Sequence, residues 1–78
     1  MNIEQFVKEF AEQFDEIPTG EFTAGTLFKE NEEWSSMTAL SVIAMVDQNY
    51  AVRLTGDDVR NSSTVEDIYN IVHTKRNS

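Results

Sequence analysis

The chain has 78 residues, 40% of them hydrophobic, enough for one core and one domain spanning residues 1–78. It has no cysteine and a single histidine, His73, which excludes disulfides, thiolate metal sites and multi-histidine metal centres. Six basic against fourteen acidic residues leave a net charge of −8, which disfavours nucleic acid and suits a partner with a basic docking patch.

The start, Met1-Asn2-Ile3-Glu4-Gln5-Phe6, is neither basic nor continuously apolar, so no targeting segment is expected. The longest apolar run, Val42 to Val46, falls far short of the roughly 20 residues of a membrane span. The expected setting is cytoplasmic, away from membranes.

From Asn2 to about Asp15, Ile3, Phe6, Val7, Phe10 and Phe14 fall on one helical stripe, with Glu4, Lys8, Glu9, Glu12 and Gln13 opposite. This predicts an amphipathic helix, stopped by Pro18 and Gly20. Residues 16–34 read as a long connection rich in turn-forming residues. Ile17, Phe22, Leu27 and Phe28 are expected to pin it to the core, with a short helical turn near Leu27–Glu30. The second helix is predicted over 36–50. Met37, Leu40, Ile43 and Tyr50 form one stripe, and Val42, Met45 and Val46 an adjacent one. So wide an apolar arc predicts contact with several neighbours. Ser35 and Ser36 are both good N-caps. A short helix is expected at about 56–60, entered through Thr55 with Asp57 and Asp58 in its first turn. The last should run from about Thr64 to Thr74, with Ser63 and Glu66 as a capping box and Val65, Ile68, Tyr69 and Val72 on its stripe. No strand alternation is present. The fold class is all-α: a small four-helix bundle with three longer helices, one short third helix and a long first loop.

Enzymatic patterns are absent. A Ser–His–acid relay needs His73, which sits near a helix end beside Lys75 and Arg76 and reads as solvated. The pairs Glu32–Glu33, Asp57–Asp58 and Glu66–Asp67 are sequence neighbours, which do not face each other on a helix, and read as surface. No calcium-binding loop or phosphate-binding glycine pattern occurs. The chain is expected not to be an enzyme.

The informative segment is Glu33-Trp34-Ser35-Ser36-Met37-Thr38-Ala39-Leu40. Two hydroxyls stand where the long loop meets the second helix, whose first N–H groups favour a phosphate. Locally, Ser35 as N-cap and Ser36 as first helical residue explain the segment without a ligand.

Over nearly the whole chain the sequence resembles the acyl carrier proteins, the phosphopantetheine-binding carrier family. That family places its modified serine in an Asp-Ser-Leu motif opening its second helix; Ser35-Ser36-Met37 stands there here. Met37, Leu40, Val42, Ile43, Met45, Val46 and Tyr50 follow the family's apolar positions. Phe28 matches its core phenylalanine, Leu54 and Asp57-Asp58-Val59 the approach to and start of its third helix, and Ser63-Thr64-Val65, Ile68, Ile71 and Val72 its last. Trp34 resembles a Trp-Asp-Ser-Leu variant of stand-alone carriers. Aligning Ser35 instead shifts each later apolar position by about 100° around the helix, turning Thr38 and Ser41 inward.

The resemblance implies a 4′-phosphopantetheine arm, placed on Ser36 by a phosphopantetheinyl transferase and carrying an acyl group as a thioester. It implies acyl-loading and acyl-transferring partner enzymes with basic docking patches, in fatty acid, lipid or polyketide-type biosynthesis, and a monomeric carrier. Trp34 and Met37 would border the arm; Met45 reads as core packing. Trp34 is expected to be partly exposed beside the arm or folded over the long loop. Two departures stand out: Ser35 replaces the motif's aspartate, and Asp47 is the only charged residue of the second helix, the nearby acidic residues being Glu30, Glu32 and Glu33. An aminoacyl or peptidyl carrier, an unmodified carrier-like interaction module and an unrelated acidic helical adaptor are the alternatives.

Overall fold

In the computed structural model, which describes residues 2–14 and 22–77, the chain forms four α-helices and no strand among those residues. Helix α1 spans Ile3–Ala11, α2 Ser36–Tyr50, α3 Gly56–Arg60 and α4 Val65–Arg76, with a 3-10 turn at Phe28–Glu30. Helix α1 packs on α4 and α2, α2 on α4, and α3 on α4. The expected small helical bundle is what forms.

Aromatic rings build one end of the core. Phe10 is fully buried, with ring centroids 5.0 Å from Phe28 and 6.2 Å from Phe22. Burying each such ring contributes about 1.5–3 kcal/mol. Helix α1 stops four residues short of Asp15. Gln13 and Phe14 donate backbone bonds to Phe10 and Ala11 three residues back, so a tightened turn carries Phe14 into the core beyond the regular helix. Ile17, Pro18 and Gly20 lie outside the described residues.

The segment after the gap is held by backbone bonds to α4. Val65 N–H donates to Thr26 O at 3.2 Å and Glu66 N–H to Ala24 O at 2.8 Å. These are two of the donors that a helix N-terminus leaves without a partner of its own. Phe22 and Phe28 pin this segment as expected, but Leu27 is 50% exposed. The 3-10 turn begins at the next residue and directs Phe28, not Leu27, inward.

The capping box of α4 lies one residue later than expected. Thr64, not Ser63, is the N-cap, with Asp67 in place of Glu66 as the answering acid. The register follows from burial: Val65 as first helical residue is fully buried and its N–H reaches Thr26. The helix also runs two residues past Thr74. Its end is fastened where Lys75 Nζ bonds Asp58 Oδ2 at 2.5 Å and Arg53 O at 3.0 Å. Asp58 and Asp67 are thus capping groups as well as surface charges. Helix α2 ends at Ala51, which adopts the left-handed conformation (φ 55°) and donates to Asp47 O at 3.0 Å.

Candidate functional site

The approach to α2 is built by Asn31. Its side-chain oxygen accepts from Glu33 N–H at 2.8 Å, and its backbone oxygen from Trp34 N–H at 3.0 Å. This Asx turn reverses the chain after the 3-10 turn and delivers Trp34 onto the core. The indole ring stacks on Phe14 at 6.2 Å and meets Phe28 edge-on at 4.9 Å. Trp34 is half-buried, so it both covers loop aromatics and borders the start of α2.

Next, Ser35 takes an extended conformation (φ −152°, ψ 176°) and caps α2, its Oγ accepting from Thr38 N–H at 3.3 Å. The Thr38 hydroxyl lies 3.3 Å from the same Oγ and donates to Glu33 O at 2.8 Å. Ser36 follows as the first residue of the helix. It is exposed, and its hydroxyl makes no hydrogen bond among the described residues. The two serines divide the work: Ser35 Oγ satisfies the backbone, and Ser36 Oγ stays available beside the positive end of a helix dipole.

An open groove of about 620 Å³ runs beside them, between the first half of α2 and α3. Ser35, Ser36 and Gly56 are among its lining residues. Trp34, Ala39, Leu40, Ile43 and Val59 give it apolar walls, and Lys29 and Arg60 supply its cations.

No protein-family model matches the chain, and no curated protein or solved structure matches it.

The structure brings Trp34, Ser35 and Ser36 together at this groove. Met37 and Leu40 depart from expectation: they are 79% and 65% exposed, so the first stripe of α2 does not pack at its start. The wide arc splits instead: Val42, Met45 and Val46 enter the core, while Met37 and Leu40 lie outside it. Leu40 borders the groove; Met37 does not line it. Sequence reading missed Asn31 and Thr38 as positioning residues. The signal for Asn31 was its preference for Asx turns; Thr38 gave none, because its partner is a loop carbonyl five residues back. His73, in the last turn of α4, is exposed. Among the described residues, no group of His, Asp and Glu could hold a metal ion and no helix is long and apolar enough to cross a membrane.

Proposed function

We propose that this chain is an acyl carrier protein that receives a 4′-phosphopantetheine arm on Ser36. The observation that carries the reading is the division of roles between adjacent serines. Ser35 is committed to the helix cap, and Ser36 presents an exposed, unbonded hydroxyl beside an open groove with apolar walls.

The residues present suit such a group. The backbone N–H groups of Ser36 and Met37 open α2 and favour a phosphate at that end. In the modifying step, performed by a phosphopantetheinyl transferase, Ser36 Oγ attacks the pantetheine-bearing phosphorus of coenzyme A. The Oγ–P bond forms, the pyrophosphate P–O bond breaks, adenosine bisphosphate leaves, and the hydroxyl proton passes to a base of the transferase. When attached, the arm supplies the thiol on which an acyl group is held as a thioester. The chain's own residues then act by position: Ser35 and Thr38 fix the helix start, Asn31 fixes the approach, and Trp34, Leu40 and Ile43 offer apolar surface. Tethering concentrates the cargo at each partner enzyme. Glu30, Glu32 and Glu33 place negative charge just before the site, complementary to basic enzyme surfaces.

The test is intact mass after incubation with coenzyme A and a promiscuous phosphopantetheinyl transferase. A gain of one phosphopantetheine is expected for the wild-type chain and for Ser35→Ala, and none for Ser36→Ala. Trp34 fluorescence should change on attachment. No gain with several transferases would sink the reading and leave an unmodified interaction module; gain in Ser36→Ala but not Ser35→Ala would move the site to Ser35.

A further inference from the structure

The chain has no cysteine, so its methionine thioethers are its only sulfur. A thioether gives up two electrons to a peroxide and becomes a sulfoxide, a polar group that reductases return to the thioether. Which methionine reacts depends on access. Helix α2 carries two of them in opposite surroundings. Met37 is 79% exposed, the most exposed of the large apolar side chains among the described residues, whereas Met45 is 6% exposed and belongs to the core cluster with Val42 and Val46. An oxidant reaches Met37 in the folded chain. It reaches Met45 only when α2 opens locally or the chain unfolds. With a net charge of −8 the surface disfavours anionic oxidants, while a small neutral hydroperoxide approaches without that barrier.

The fold does not use the Met37 thioether. Met37 belongs neither to the buried core nor to the partly buried residues packed against it, so an added oxygen breaks no packing. The residue also lies in the first turn of α2, where long side chains point back toward the helix start and partial negative charge on an oxygen is favoured. Its exposed neighbours are Ser36 beside it and Leu40 and Ser41 one turn on. A sulfoxide here replaces apolar surface by polar surface next to Ser36 and leaves Leu40 as the one large apolar side chain exposed on α2.

We propose that Met37 is a site of reversible oxidation by a small neutral hydroperoxide, which switches the exposed surface at the start of α2 from apolar to polar while the fold stays intact. The site stands whether or not Ser36 carries an arm. In the forward step the Met37 sulfur attacks the terminal peroxide oxygen. The S–O bond forms, the O–O bond breaks, and the hydroperoxide's own proton passes to the leaving oxygen, which departs as water or an alcohol. Sulfur loses two electrons and the peroxide gains them. Reversal requires a reductase and a dithiol: the sulfoxide oxygen leaves as water and the dithiol becomes a disulfide.

The experiment treats the full chain with hydrogen peroxide and follows oxygen uptake at each methionine by peptide mass. Met37 should oxidise about ten times faster than Met45 in the folded chain, and the two rates should converge in urea. The chain oxidised at Met37 should keep a thermal midpoint within about 2 °C of the reduced chain, as an exposed substitution does in a domain this small. Its retention on a hydrophobic-interaction column should fall. Methionine sulfoxide reductase with dithiothreitol should restore both mass and retention. Met37→Leu should be retained like the reduced chain before and after peroxide. A folded chain in which Met45 oxidises as fast as Met37 overturns the inference. So does a midpoint that falls in step with Met37 oxidation, which would make the sulfoxide damage to the fold and not a switch. A sulfoxide that the reductase leaves in place overturns it too, and a loss of retention in peroxide-treated Met37→Leu would assign the polarity change to another residue.

Discussion

At the scale of single residues, the site depends on which of two neighbouring hydroxyls the backbone consumes. Ser35 is extended and its Oγ meets Thr38 N–H; Ser36 is helical and its Oγ points to no described partner. Serine caps a helix about as well as aspartate, so Ser35 secures the start of α2 without placing a charge there. Ala51 shows the opposite case, a residue in a conformation it does not favour. Its φ of 55° is the left-handed region, where a Cβ costs roughly 1–2 kcal/mol. Ala51→Gly should raise the unfolding free energy by about 1 kcal/mol in urea titration, with an unchanged denaturant slope. A loss of stability would show that the turn does not require this conformation. The expected end of α2 near residue 50 came from Asn49, Tyr50 and Val52. The device that ends it, a left-handed alanine, had no signature because glycine and asparagine are the usual residues there.

At the scale of elements, helix existence was legible and helix ends were less so. The stripes of α1, α2 and α4 repeat apolar residues at helical spacing, and each helix formed. The start of α4 was misread because two overlapping patterns fit: Ser63 with Glu66, and Thr64 with Asp67. The tie was broken by Thr26 and Ala24, whose carbonyls accept from the first turn of α4. Thr64→Ala should therefore cost about 1 kcal/mol in chemical unfolding, and Ser63→Ala less than about 0.5 kcal/mol. Equal costs would return the cap to Ser63. Helix α2 was misjudged in another way. Periodicity identified its apolar residues but could not say which of two stripes packs. Val42, Met45 and Val46 face the aromatic core, whereas Met37 and Leu40 belong to the surface around the candidate site.

At the scale of the whole molecule, ionisable groups at the helix contacts set the pH range of stability. Burial pushes the Asp58 carboxyl up, but its hydrogen bonds from Lys75 and Thr55 outweigh that and hold it below the usual carboxylate range. The backbone N–H groups of Ser63 and Thr64 lower Asp67 in the same sense. A folded-state value below the unfolded one stabilises above the unfolded value of about 4, and that stability is lost as pH falls through the folded value. Tyr50 has the opposite sign. Burial, then its hydrogen bond to Glu9, raises the phenol well above its ordinary value of 10.0. Its contribution is complete below about pH 10 and is lost as pH rises beyond that. Urea titrations across pH should show both limbs. Asp58→Asn with Asp67→Asn should flatten the acid limb, and Tyr50→Phe the alkaline one. An acid limb unchanged in the double variant would place the acid sensitivity elsewhere among the fourteen acidic residues.

The sequence by itself determined the helical class, the four helices, Ser35 as cap and Ser36 as the first residue of α2, because apolar period and capping chemistry are local properties. Tertiary structure decided the rest. Backbone acceptors at Thr26 and Ala24 set the register of α4, and core packing chose which stripe of α2 is buried. The groove joins Lys29 to Arg60, thirty-one residues apart in sequence, and no pattern along the chain reports a contact over that distance. The excess of acid in the composition is therefore real for the molecule, yet the groove that borders Ser36 is lined by Lys29 and Arg60 and by no acidic residue.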